Sequence, residues 1–272
     1  MQGSTGTKPR VAVVTPCFND GATLRETVAS VRELDGAEHV VVDDASTDPA
    51  TLATLEELAA NGVRVLRQDH QGPARARACA LAASTAPYVL PLDADDLAIP
   101  DGVAALVRAL DENPEAVLAW GDMQCFGRSV RLLHSPERLD PWLITHVNPL
   151  PYASLMRRDA LEAIGGWGNV SGFEDWDLWM GFVQQGWNGI RVPQPVIRYR
   201  VHGGRRWQGN AKRHDQIHHE LVERHRMLVD ARTANWRRST APLVLRLALP
   251  VIARLPLSSR TKVRLRGFVV KR

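Results

Sequence analysis

Residues 88–96 read YVLPLDADD. An apolar run stops abruptly at three carboxylates, Asp93, Asp95 and Asp96. A short apolar run bounded by turn formers is the pattern of a buried strand, so the carboxylates stand at a strand's carboxyl end. The same pattern occurs twice upstream. VAVVT (11–15) runs into PCFND, and HVVVDD (39–44) runs into AST. Between these strands lie segments with helical spacing. TLRETVASVREL (23–34) puts Leu24, Val28 and Val31 on one face. Asp48-Pro49 supplies an N-cap and a first helical proline for a helix through Leu58, and ARARACALAAS (74–84) gives a third helix. VRVL (63–66), residues 103–110 and AVLAWGDM (116–123) continue the alternation as strand, helix and strand. This order predicts a Rossmann-like, mostly parallel α/β sheet flanked by helices on both faces. In such sheets ligands bind outside the carboxyl ends of the strands, where hydroxyls and carboxylates collect here.

The second half is less regular. Residues 152–167, YASLMRRDALEAIGGW, predict a strand, a short helix and a glycine stop, and EDWDLWMGFVQQG (174–186) has helical spacing. IRYRVH (197–202) reads as a strand ending in histidine, followed by a polar helix from about 211 to 229. The expected divisions are a disordered 1–9, two halves of one domain, an alternating one over 10–120 and a less regular one over 121–210, and a basic helical extension over 211–272. The 272 residues include 34 Lys or Arg and 30 Asp or Glu, unevenly placed. Residues 236–272 carry ten basic residues and no acid, which leaves 24 basic against 30 acidic residues before them. Three scattered cysteines argue against a disulfide scaffold or a cysteine zinc site and suit a reducing compartment. The polar N-terminus is not expected to act as a secretory signal, and no apolar run reaches the ~18 residues of a spanning helix.

Each candidate site residue has a bland alternative. Carboxylates crowded at 93–96 would be relieved by a hard divalent cation with oxygen ligands, or they form a solvated turn. Asp43 and Asp44 could accept from a base or ribose, or close an Asx turn. Gly72-Pro73 opens a helix whose N-terminus favours anions and which carries Arg75 and Arg77, but it matches neither a P-loop nor GxGxxG. Glu174 and Asp175 lie beside Trp167, Trp176 and Trp179. A carboxylate among aromatic walls gains basicity and the walls suit sugar rings, or the acids merely complement a helix dipole. His202 is a metal ligand or an ordinary surface histidine.

VAVVTPCFND, VVDDASTD, GPARAR, VLPLDADD, GGW, EDWDLWM and YRVH stand in one order over residues 10–204. In that order and spacing they resemble family 2 of the GT-A-fold glycosyltransferases. The resemblance implies an inverting transfer of one sugar from a nucleotide-diphospho-sugar to an acceptor hydroxyl, with Mg²⁺ or Mn²⁺. It implies that Thr15, Pro16, Asp43, Asp44, Arg77, Asp93 and Ala94 meet the nucleotide-sugar, and that Asp95 and His202 hold the metal. Asp175 would be the catalytic base, and Glu174, Trp176 and Trp167 would bind the acceptor. Donors with UDP are favoured, with GDP and dTDP open. Ala78 and Gly181 depart from the family's frequent Asn and Arg. Gly203-Gly204-Arg205-Arg206-Trp207 matches only the RW end of the processive synthases' QxxRW, which argues against polymer synthesis.

Two other classes compete. A sugar-phosphate nucleotidyltransferase shares such a sheet, but it needs a Gly-rich basic signature that TPCFND lacks. A basic-tail module binding membrane or nucleic acid would leave the acidic strand ends unexplained, and an acidic body repels nucleic acid. The tail, with apolar clusters between arginines, suits an anionic membrane surface or packing on the domain or on a homodimer partner. The resulting expectation is a cytoplasmic protein, peripheral on the inner membrane face if its acceptor is lipid-linked.

Overall fold

A computed structural model describes residues 8–168, 172–202 and 206–270. Gly203, Gly204 and Arg205, and with them the start of the RW match, lie outside these residues, as does most of the N-terminal 1–9. Nine strands form one sheet: β1 Val11–Cys17, β2 Ala37–Asp43, β3 Arg64–Arg67, β4 Tyr88–Pro91, β5 Leu97–Ala98, β6 Ala116–Gly127, β7 Arg131–Leu133, β8 Leu155–Arg157 and β9 Asn188–Val201. Their order is β3-β2-β1-β4-β8-β6-β9-β5, with β7 paired to β6. β1 pairs in parallel with β2 and β4, and β2 with β3. β8 runs antiparallel between β4 and β6. The parallel β3-β2-β1-β4 run is therefore the alternating half of the sequence; β8, from the irregular half, is reversed, as are the short β5 and β7.

The helices cover both faces. Val13 of β1 joins a core with Val103, Leu106 and Leu110 of α4 (Pro100–Glu112). Val14, one residue on, joins the opposite core with Ala76 and Ala80 of α3 (Pro73–Ala82) and Trp179 of α6 (Glu174–Gln184). Successive strand side chains point to opposite faces, so a strand covered twice must be apolar at every position, as VAVV is. Leu24 and Val28 of α1 (Gly21–Arg32) pack on Leu55 and Leu58 of α2 (Pro49–Ala60). The α2 start is as expected, with the Asp48 carboxylate accepting from the Thr51 amide at 2.8 Å.

Two boundaries differ from expectation. Position 120/121 falls inside β6, and 210/211 falls inside α7 (Arg206–Arg224). β6 pairs along its length with β9, so the two halves share one sheet. Short helices α5 (Arg158–Ala163), α8 (Arg226–Asp230) and α9 (Arg232–Arg238) and the longer α10 (Leu243–Arg254) and α11 (Ser259–Val270) complete the chain.

Asp175 and Asp177, two apart on α6, point to different faces. Buried Asp177 accepts from His225 Nε2 at 2.7 Å and pairs with Arg224 Nε at 3.2 Å, which ties the helical extension to the core. Removing one member of a buried pair strands the other. Asp177→Ala should therefore destabilise the protein by about 3 kcal/mol, read as a lower urea midpoint at unchanged slope. An unchanged midpoint would mean that the extension is held by other contacts.

Candidate active site

Three loops meet at the carboxyl ends of β1, β2 and β4 and enclose a cleft of about 460 Å³. Three segments beside it each hold one non-glycine residue at positive φ: Asn19 at 56° after β1, Ala45 at 61° after β2 and Phe173 at 56° before α6. Such conformations cost about 1–3 kcal/mol each and persist only where the surroundings enforce them. The enforcement is visible at the first two. Asn19 Oδ1 accepts from the Thr47 and Asp48 amides at 2.8 and 2.9 Å, and Asn19 N donates to Ser46 Oγ at 3.0 Å.

Asp43 and Asp44 divide the roles that their sequence left open. Asp43 closes a turn, accepting from Ser46 N at 2.8 Å, and pairs with Arg67 at 3.3 Å. Asp44 lines the cleft. Its carboxylate accepts from Gln68 Nε2, Gln71 N and Gly72 N at 2.7, 2.8 and 2.9 Å, with His70 Nδ1 at 3.0 Å. Asp44 thus shapes the 68–72 loop that walls the cleft. Gly72, at φ +88°, turns that loop into α3, a conformation that suits glycine. Across the cleft mouth Phe18 faces His70, with ring centroids 4.4 Å apart.

Arg77 is the cleft's central cation. It is buried on α3, donating from Nη1 to Glu174 at 2.7 Å and from Nη2 to Asp93 at 2.5 Å. Burial works against its charge, but the two carboxylates outweigh burial and raise its pKa. It therefore bridges β4's end to α6's start, which joins the two halves of the sequence.

Beyond Asp93 the turn is clamped by β9. Arg200 donates its amide to Asp96 Oδ1 and its Nε to the Asp95 carbonyl, both at 2.7 Å. The Tyr152 hydroxyl donates to Asp96. His202 Nε2 lies 2.7 Å from Asp95 Oδ2. Carboxylate oxygens of Asp93, Asp95 and Asp96 lie within 4.8 Å of one another. Burial, then neighbouring charge, raises the pKa of Asp95 and lifts that of Asp96 well above the usual carboxylate range. An all-oxygen set with frustrated charge fits a hard cation. Asp93 and Asp95, each about a quarter exposed, are the open members, with His202 beside them. Asp96 is 1% exposed and already occupied, so it is part of the turn's frame.

At the other end of the Arg77 bridge, Asp175 accepts from Asn148 Nδ2 at 2.7 Å. Burial first, and the charge of Glu174 second, push its pKa up to about 6. A carboxylate so placed stays ionised at neutral pH yet accepts a proton more readily than an exposed one.

Four expected contacts take other places. Thr15 is fully buried, with its hydroxyl bonded to His39 at 2.9 Å, so the strand's next residues, Pro16 and Cys17, line the cleft instead. Ala94 is buried, and its carbonyl accepts from Thr23. Trp167 and Trp176 are core residues, not an aromatic wall, and the Trp176 indole donates to the Ile144 carbonyl at 2.7 Å. Apolar residues at helical spacing meet the core first. Phe18, His70, Gln71 and Arg213 line the cleft without having been expected there, and Asn148 and Tyr152 hold the acids. No local signal marks Asn148 or Arg213. The FND turn after β1 did mark Phe18's position.

The profile of glycosyl transferase family 2 matches residues 12–169. The chain belongs to that family. Among curated relatives, the putative glycosyltransferase EpsE of Bacillus subtilis is 26% identical over 206 residues, 71% of this chain and 73% of that one. An N-acetylglucosaminyltransferase of Bradyrhizobium elkanii is 31% identical over 44% of this chain and 70% of its own, whereas another relative is matched over only 13% of its length. S. aureus TarS 1–349 in complex with UDP-GlcNAc superposes with a TM-score of 0.65 at 18% identity, over 96% of this chain and 76% of that one. Mannosyltransferase PcManGT from Pyrobaculum calidifontis, in complex with GDP-Man and Mn2+, gives 0.59 at 20% identity over 97% and 86%. These likenesses establish a GT-A fold with a helical C-terminal region.

Proposed function

We propose that this family 2 chain transfers one sugar from a nucleotide-diphospho-sugar to an acceptor hydroxyl with inversion. The observation that carries the proposal is the bridge from Asp93 through Arg77 to Glu174. It sets a carboxylate cluster suited to a cation on one side and a base lifted toward neutrality, Asp175, on the other. An inverting displacement needs those two functions on opposite sides of the reacting carbon.

In this reading the nucleoside lies beside Phe18 and along the Asp44-shaped loop that carries His70, in a cleft whose volume suits a ligand of that size. Asp95, with Asp93 and His202, would hold Mg²⁺ or Mn²⁺. The bound cation would neutralise the leaving diphosphate. Asp175 removes the acceptor hydroxyl's proton as the sugar–oxygen bond forms. Asn148 orients that carboxylate, and Glu174 borders the donor while holding Arg77. Polymer synthesis is not part of the proposal.

Neighbouring structures carry UDP-GlcNAc in one case and GDP-Man in another, so similarity leaves the base open. UDP donors remain our first choice. A screen of UDP-, GDP- and dTDP-sugars with Mn²⁺ should give hydrolysis with one nucleotide class, and that nucleoside diphosphate should raise the thermal midpoint. A chain that binds no nucleoside diphosphate in either assay would sink the proposal.

A further inference from the structure

Six of the eleven exposed large hydrophobics among the described residues lie within 243–257: Leu243, Val244, Leu247, Val251, Leu255 and Leu257. The first four share the outer face of α10 and are 58–62% exposed. The helix is held by its other face, where Leu245 and Leu249 pack on Trp142 and Leu143 and Ile252 is also buried. The outward stripe is therefore fixed in place.

Arg237, Arg238, Arg254, Arg260 and Arg264 are exposed in the same region, and residues 231–272 contain no Asp or Glu. We infer that the outer face of α10 docks on an anionic lipid bilayer, with its leucine and valine side chains at the acyl boundary and the arginines among the headgroups. An amphipathic helix with basic borders lies in the interface in this way. Twelve residues are too short to cross a bilayer, and among the described residues no helix is long and apolar enough to do so.

A second copy of the chain is the weaker occupant. A two-fold contact would set the same stripe, with its arginines, against itself, and no acid from this region could pair with them. Nucleic acid would leave the apolar residues unmatched.

The seat of α10 gives the docking a direction. Trp142 and Leu143 belong to the segment that runs on to Asn148, the partner of Asp175. Asp140, at its start, accepts from Ser239 Oγ and Thr240 N at 2.8 Å each. The bilayer would thus lie on the side of the molecule that holds the proposed base, where a lipid-linked acceptor would arrive. Only that purpose rests on the proposed transfer; the docking itself does not.

The test is flotation of the full chain with vesicles of phosphatidylglycerol and phosphatidylcholine, and with phosphatidylcholine alone. The comparison is a Leu247→Glu, Val251→Glu double variant. Both positions are exposed, so its thermal midpoint and donor hydrolysis should match the parent's. The parent should float with anionic vesicles at least ~10-fold better than the variant or than with neutral ones, less so at high salt. Equal recovery of parent and variant, or no flotation of the parent, overturns the inference. So does a parent dimer that the variant converts to monomer without any flotation, which would give the stripe to a second copy. Failure of the donor screen with intact flotation would remove the proposed chemistry and leave the docking standing.

Discussion

Asp175→Asn should lower the transfer rate by ~10²–10⁴ and leave nucleotide-sugar binding unchanged. Asparagine keeps the shape and the Asn148 neighbour but cannot accept the acceptor's proton. Donor binding survives because the cleft is lined from β1, β2, α3 and Glu174, not by the Asp175 carboxylate. The pH dependence supplies a second reading. Burial and Glu174 place the Asp175 pKa at about 6, and only the ionised form can act as base. The rate of the parent should therefore rise with pH through about 6 and level off above it, while the residual rate of the variant should lose that limb. Steady-state rates from pH 5 to 8 for both proteins check it. An unchanged kcat in the variant would move the base elsewhere, to Glu174 first.

Asp95→Ala should lower kcat/KM by at least ~10² and weaken Mn²⁺ binding in parallel. Even residues behind a metal's ligands cost 10–100-fold when removed, and Asp95 is the open carboxylate beside His202. The fold should hold. The turn's frame is Asp96, bonded to Tyr152 and Arg200, and the Asp95 carbonyl that Arg200 uses remains. Removing Asp95 also relieves some of the charge crowding that raises Asp96. Titration of Mn²⁺ by electron paramagnetic resonance, with and without nucleoside diphosphate, reads the site directly. Normal turnover by the variant after chelation would show that no cation acts there.

The three strand ends were legible because their causes are local. A parallel strand covered on both faces must be apolar throughout, so the first polar residues after VAVVT, HVVVD and YVLP mark the edge of the core. The Asp48 cap and the Gly72 turn were legible for the same reason, since each acts within a few residues. The tryptophans misled because an indole at helical spacing looks alike whether it faces core or ligand. Trp176 is settled by Ile144, 32 residues away, which takes its N–H. Thr15 misled because strand parity, and a bond to His39 across the pair of strands, turn its hydroxyl inward.

The amino-acid sequence by itself determined the alternating half of the sheet, the edge where ligands gather, and the acids at 93–96 and 174–175. Hydrophobic period and turn chemistry decide these, and both act over short stretches of chain. Tertiary structure alone decided which acid does what. Asp43 became framework through its own turn at Ser46 and through Arg67 of β3, and Asp96 through Arg200 and Tyr152, whereas Asp93 and Asp95 stayed partly open. Asp175 gained its basicity from burial under segments that no local pattern places near it. Arg77 became the bridge between the halves only when residues 16 and 97 positions away closed on its two nitrogens. Charge and burial are sums over everything nearby in space, so their values emerge only when the chain has folded.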